Sequence, residues 1–207
     1  AAHHAGVMLA TIPASQLMRR IGRRAGFMMA TWCGVAGAIL AGMAMLQGSF
    51  WLLCVGVCVI GWFNGFAIFY RFAAADTASE EFRPRAISWV MTGGLFAAFL
   101  GPELANFTKD LLSPVEFAGS YFALIGVYLI SFVLLSGVKI PKLTDEQRRS
   151  SGRPLLEILR QPRCAVAVIA AFVAYGVMAL LMASTPLAMA NCGFHFVDSK
   201  WVIQAHI

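Results

Sequence analysis

Long apolar runs separated by short polar segments dominate the chain. Between Arg24 and Arg71, 46 consecutive residues carry no Asp, Glu, Lys or Arg. A helix needs about 20 apolar residues to cross a bilayer, so this stretch predicts two spans joined by a turn at 46–50. The whole pattern predicts a last span that begins near Ser199 and six whole or nearly whole spans before it, at residues ~1–18, ~26–46, ~50–72, ~86–107, ~117–138 and ~164–189.

The composition agrees with a membrane protein. Of 207 residues, 59% are hydrophobic and only 13% are charged, whereas soluble domains carry about a quarter charged residues. A soluble α/β core would need far more charge on its solvent faces. We therefore expect an all-α membrane protein. The first residue is not Met, and the last residues are apolar, so we expect an excerpt from a longer multi-pass chain.

The basic residues alternate between loops. Of the 16 Lys and Arg residues, 14 lie near 19–24, 71–85 and 139–163, and only Lys109 and Lys200 lie between the other spans. Short cytoplasmic loops carry such an excess, so the first, third and fifth connections are predicted to face the cytoplasm. Topology thus explains the net charge of +6, and we expect no nucleic-acid partner.

The third basic segment predicts a domain boundary. It separates residues 1–138 from 164–207 and forms the longest polar stretch, 139–163. Pro154 suits the first position of a helix, and the Leu and Ile residues at 155–159 give that helix an apolar face. This pattern favours a short amphipathic helix on the inner membrane surface; the alternative is a solvated linker between two helical bundles.

Two motifs and this linker resemble one family. The segment SQLMRRIGRRAGF at Ser15–Phe27 resembles the loop between helices two and three of the major facilitator superfamily, with matches at Arg20, Gly22, Arg23 and Arg24. The later segment AADTASEEFRPRAISW resembles the family's pattern after helix four. The resemblance implies a bundle of two six-helix halves that is incomplete here. Residues 1–138 would hold helices two to six, and residues 164–207 would hold helix seven and the start of helix eight.

The resemblance also implies a conformational latch at the cytoplasmic side. Arg23 should pair with Asp76 at the end of helix four and favour the outward-open state; topology alone is the alternative role for these arginines. Arg19 stands where the motif has an acid, so the contact of that acid with the second half is not predicted here. The latch residues implied by the resemblance are Arg20, Gly22, Arg23, Arg24, Asp76 and Arg83.

The predicted fifth helix resembles that of proton-driven exporters in part. It keeps Gly101 and Pro102 of their Gly-Pro motif, and small residues replace most of its other glycines. Small residues permit close helix packing. The arginine often found in helix four of proton-coupled members has no counterpart, since residues 54–70 carry no charge.

Two polar residues near the C-terminal end of the chain are the first candidates for a solute or coupling-ion site. Ionisable residues inside a membrane are functional candidates by default. His206 is predicted to face the central cavity and to carry a coupling proton, because an imidazole titrates near neutral pH. Gln204, two residues earlier, points about 200° away around the helix, so we expect it to cap or pack.

Three further polar residues lie within predicted spans. Asn64 and Tyr175 either line a site or hydrogen-bond a neighbouring helix. Glu103 either contributes to that site or faces water near the outer end of its helix. His3 and His4 are placed near the outer mouth, and we assign them no role.

The resemblance implies a secondary transporter. It would move a small solute by alternating access in a bacterial cytoplasmic membrane, with export as one direction and a proton as one coupling ion. A transport-inactive assembly factor or chaperone on the same fold is the alternative. The sequence has no P-loop, no metal motif and no catalytic cluster, so we expect neither an enzyme nor a cofactor.

Overall fold

A computed structural model describes residues 1–141, 157–158 and 160–206, except the side chains of Phe196 and His206. The predicted helix at 154–159 lies largely outside these residues. No residue in the described ranges forms a strand. The helices with both ends in these ranges are α1 (Ala2–Ile21), α2 (Arg23–Gln47), α3 (Phe50–Ala67), α4 (Tyr70–Thr77), α5 (Arg83–Thr108), α6 (Ala118–Gly137), α7 (Pro162–Asn191) and α8 (Phe196–His206).

Among the described residues, five segments are long and apolar enough to cross a membrane. They are α2, α3 together with α4, α5, α6 and α7. Helix α1 has 20 residues but is not among the five, because its polar and basic residues lower its apolar content. The predicted first span therefore forms a helix, and its crossing of the membrane stays a prediction.

The third predicted span, ~50–72, is interrupted. Helix α3 ends at Ala67, and α4 begins at Tyr70. Between them, the amide of Phe69 donates to the carbonyl of Phe66 at 3.0 Å, which is the tighter bonding pattern of a 3₁₀ turn. The ring of Tyr70 then packs edge-on against Phe27 of α2, with centroids 4.7 Å apart. This contact places the start of α4 beside the first turns of α2.

The chain divides into two compact units, Ala1–Arg148 and Arg149–Ile207. In the first unit, α1 and α2 pack on α3, α6 packs on α2, and α5 packs on α4 and α6. Alanines fill much of this interior: Ala10, Ala14, Ala30, Ala38 and Ala41 have no exposed surface. Small side chains let helix backbones approach closely, so packing of backbone on backbone holds this bundle together.

Glycines set the contact between α1 and α3. A Cβ on Gly61 would lie 2.2 Å from the carbonyl oxygen of His3, and one on Gly6 would lie 2.0 Å from that of Cys58. Neither position has room for a side chain unless the helices move apart. Gly61 and Gly65 are four residues apart, the spacing by which small residues mediate close helix pairs in membranes.

The second unit contains α7 and α8. Helix α7 starts at Pro162, at a position where a missing N–H costs nothing, and none of its residues is buried. Gly193, with φ 83°, turns the chain toward α8. There the backbone amide of His195 donates to Asp198 Oδ2 at 3.0 Å, at the start of α8.

Candidate functional site

The start of α2 and the end of α4 are joined by an ion pair. Arg23 Nη1 lies 2.5 Å from Asp76 Oδ2, with side chains 22% and 48% exposed. Gly22 has φ 91°, a conformation that favours glycine, and so lets α2 begin directly after α1. The contact expected from the motif is therefore present, and its role as a latch stays a prediction.

A second arginine ties α2 to α6. The guanidinium of Arg24 donates through Nη2 to the carbonyl oxygen of Ser136, in the last turn of α6. A cation is favoured there because the carbonyl end of a helix carries partial negative charge. Arg23 and Arg24 thus connect the start of α2 to the ends of two other helices.

The remaining motif residues lie around this pair. Arg20 borders a recess of about 300 Å³ that Gln16, Trp62 and Phe66 help to line. Arg83 Nη1 lies 3.9 Å from Glu80 Oε1, and both side chains are exposed. Exposed pairs of this kind contribute about 0–1 kcal/mol, so the Arg83 pair adds little to the stability of this end.

A polar pair lies in the interior of the first unit. Asn64 Nδ2 is 2.8 Å from His3 Nε2, which links α3 to α1. Asn64 comes 14 residues after Phe50 and 13 before Thr77, the two ends of this apolar segment. His3 therefore lies near the middle of the span. Its predicted place near the outer mouth does not agree with this contact, because Asn64 lies 14 residues from the Phe50 end of the segment.

The Gly-Pro segment of α5 lies where α5 meets α6. Gly101 borders a recess of about 290 Å³ with Phe117 and Tyr121. Pro102 lies inside the helix, where it removes one backbone hydrogen bond. Near it, Ser120 Oγ of α6 donates to the carbonyl oxygen of Ala105 at 3.2 Å. A Cβ on Gly101 would meet nothing within 4 Å, so the predicted role of Gly101 and Pro102 in helix packing stays a prediction.

The other predicted site residues are dispersed. Glu103 is exposed on α5, and Tyr175 of α7 is 68% exposed. Gln204 of α8 is only 4% exposed. The side chain of His206 lies outside the described residues, so its predicted orientation toward a cavity stays a prediction.

Lys200 differs from expectation. It was predicted in an outer loop, but α8 begins at Phe196 and includes it. Its side chain is buried, and its ammonium lies 4.9 Å from the centre of the Trp201 ring, within the range of a cation–π contact. Ser199, Lys200 and Gln204 thus give α8 a buried polar set.

Five apolar segments of spanning length among the described residues are typical of an integral, multi-pass membrane protein. The chain belongs to the Major Facilitator Superfamily, whose family description matches residues 1–203. This confirms the family and the incomplete all-α bundle that the motifs predicted.

Two relatives extend the comparison. The chain is 37% identical over 205 residues to the riboflavin transporter RfnT of Brucella anthropi, covering 98% of this chain and 51% of that protein. It is 25% identical over 204 residues to the uncharacterized MFS-type transporter YddS of Bacillus subtilis, covering 91% of this chain and 47% of that protein. The chain thus spans about half the length of these curated relatives. No solved structure matches it.

The contact between His3 and Asn64 was not predicted from the sequence. Asn64 was singled out as a mid-helix amide, but its partner was placed at the membrane surface. The available signal was the sequence GWFNG at 61–65. An amide between two glycines four residues apart marks a helix face where another backbone comes close, and a buried amide there needs a polar partner.

Proposed function

We propose that this chain is part of a secondary transporter that moves a small solute by alternating access, and that riboflavin is the first solute to test. The observation that carries the proposal is the 37% identity to a riboflavin transporter across 98% of this chain. In this proposal, residues 1–138 form most of the N-terminal half, 139–163 link the halves, and 164–207 start the second half.

The cytoplasmic contacts support a rocking mechanism. Alternating access in such bundles is largely the rigid-body movement of one half against the other. The Arg23–Asp76 pair and the bond from Arg24 to Ser136 hold three helix ends together, which makes this end of the first half rigid. The Asp76 side chain is about half exposed, so water can replace its partner when the latch opens. We assign Arg20, Gly22 and Arg83 to the surroundings of this latch.

The solute and coupling-ion site is proposed to be built from polar side chains within the spans. The candidates are the polar side chains that the spans carry, namely Asn64, Glu103, Tyr175, Gln204 and His206. His206 is proposed as a proton carrier that faces the cavity. The protein would act in the bacterial cytoplasmic membrane, in contact with its lipids.

The proposal is tested by riboflavin movement in cells. The full-length protein that contains this chain would be produced in a riboflavin auxotroph without its own transporter, and uptake and release of labelled riboflavin would be followed. We expect movement in one direction that excess unlabelled riboflavin abolishes. A stable, membrane-inserted protein that moves neither riboflavin nor any solute of a broad panel would instead favour the transport-inactive assembly factor.

A further inference from the structure

The His3–Asn64 pair places an ionisable group at mid-membrane depth. Asn64 lies at the centre of the segment Phe50–Thr77, and no Asp, Glu, Lys or Arg occurs between Arg24 and Arg71. Helix α1 also carries no such residue before Arg19. An ionisable side chain is costly in this environment and marks functional sites in membrane proteins.

The backbone packing holds His3 in place. The carbonyl oxygen of His3 lies against Gly61, where a Cβ would come within 2.2 Å. Gly61 and Asn64 are three residues apart and therefore share a face of α3. The imidazole meets the amide within this contact, and both side chains are half-buried. The distance of 2.8 Å between the two nitrogens is thus fixed by helix packing.

The hydrogen bond suits both protonation states of the imidazole. Asn64 Nδ2 donates to His3 Nε2, which requires a neutral ring with its proton on Nδ1. When a proton binds to the Nε2 lone pair, that nitrogen becomes a donor and the ring gains one positive charge. Rotation of the Asn64 amide by about 180° then presents Oδ1 as the acceptor. The hydrogen bond between His3 Nε2 and the Asn64 amide can therefore persist in both protonation states.

The surroundings contain no fixed countercharge along these spans. His4, exposed, packs its ring edge-on at 5.4 Å from that of His3. Within the charge-free stretch, the titratable side chains of the packed helices are Cys33 on α2 and Cys54 and Cys58 on α3. A proton on His3 is thus held by a neutral amide and not by a carboxylate, which keeps it exchangeable.

We propose that His3 and Asn64 form a proton-binding site in the middle of the membrane, through which a proton gradient drives the transport step. This inference rests on the proposed transport function. It assigns a role to a residue pair that joins two spans of the first half. It also makes Asn64 a positioning residue, since it acts by orienting the imidazole.

The first test separates proton coupling from solute movement. The full-length protein would be reconstituted in liposomes, and labelled riboflavin would be measured both under a pH gradient and in counterflow without one. We expect His3→Gln to lose gradient-driven accumulation at least tenfold while it keeps counterflow. The matched control His4→Gln, which changes the exposed neighbour, should keep both. Retained accumulation in His3→Gln would overturn the site, as would the loss of counterflow in a folded variant.

The second test needs no solute. The side-chain ¹⁵N signals of His3, identified by their absence in His3→Gln, would be titrated in the detergent-solubilised protein. We expect uptake of one proton at Nε2 between about pH 5 and 8, the range in which imidazoles titrate, and a shift of this titration in Asn64→Leu. A ring that stays neutral throughout would overturn the proposal. Failure of the wild type to move riboflavin, with this titration present, would count against the proposed solute alone.

Discussion

Replacing Gly61 by Ala should separate α1 from α3. The new Cβ would lie 2.2 Å from the carbonyl oxygen of His3, whereas carbon and oxygen atoms in contact are about 3.3–3.6 Å apart. The backbones must therefore move apart by about 1 Å along this contact. Such a shift lengthens the 2.8 Å separation between His3 and Asn64 beyond hydrogen-bonding range.

The expected cost follows from two terms. Overpacking of a tight interface costs about 1–3 kcal/mol, and the lost side-chain hydrogen bond adds about 0.6 kcal/mol, the average for membrane proteins. Ala is a better helix former than Gly by about 1 kcal/mol, which offsets part of this. We expect a net destabilisation of about 0.6–2.6 kcal/mol, the sum of these terms.

Gly93→Ala provides the matched control. Gly93 lies within α5, and a Cβ there would meet nothing within 4 Å, so only the gain in helix propensity remains. Unfolding of both variants and the wild type would be followed by intrinsic tryptophan fluorescence against temperature and denaturant. We expect Gly61→Ala to melt below the wild type and Gly93→Ala to melt at or above it. Equal stability of the two variants would refute the close approach of α1 and α3.

Three further predictions concern the Arg23–Asp76 pair, the contact of Arg24 with α6 and the topology. Asp76→Asn keeps the side-chain size but removes the charge that faces Arg23, so the protein should shift toward the inward-open state by up to about tenfold, or 1.4 kcal/mol; spin-label distances across the cytoplasmic mouth would measure this, and an unchanged distribution would contradict it. Arg24→Met should lower the free energy of unfolding by about 1 kcal/mol through loss of its bond to α6, with Arg24→Lys as control; equal melting of Arg24→Met and wild type would disprove it. A cysteine in place of Arg83 should react with an impermeant reagent only from inside and one at Lys109 only from outside; the reverse pattern would overturn the topology.

The spans and the Arg23–Asp76 contact were predictable from the sequence for physical reasons. Removal of apolar residues from water dominates the energetics of a membrane helix, so uncharged runs located α2 and α5–α7. The excess of Lys and Arg in alternate loops then predicted which loops face the cytoplasm. The pair of Arg23 and Asp76 was accessible because a motif resemblance brought together two positions that are 53 residues apart in the chain.

The axial positions of the helices were not predictable in this way. Apolar length is insensitive to a helix sliding along its neighbour, so His3 was placed at the surface although its ring contacts Asn64. The break between Ala67 and Tyr70 has no proline to announce it. Lys200 was placed in a loop because it precedes the last apolar run, which starts at Trp201, yet α8 includes and buries it.

A counterflow assay would show directly whether the protein that contains this chain carries riboflavin across a membrane. Liposomes containing the purified full-length protein would be loaded with unlabelled riboflavin and diluted into a trace of labelled riboflavin, so that only an exchanging carrier can concentrate the label. We expect the label to accumulate transiently inside the liposomes, well above its equilibrium level. Empty liposomes should show no such accumulation. Entry of label no faster than into empty liposomes, from protein that is folded and correctly inserted, would contradict it.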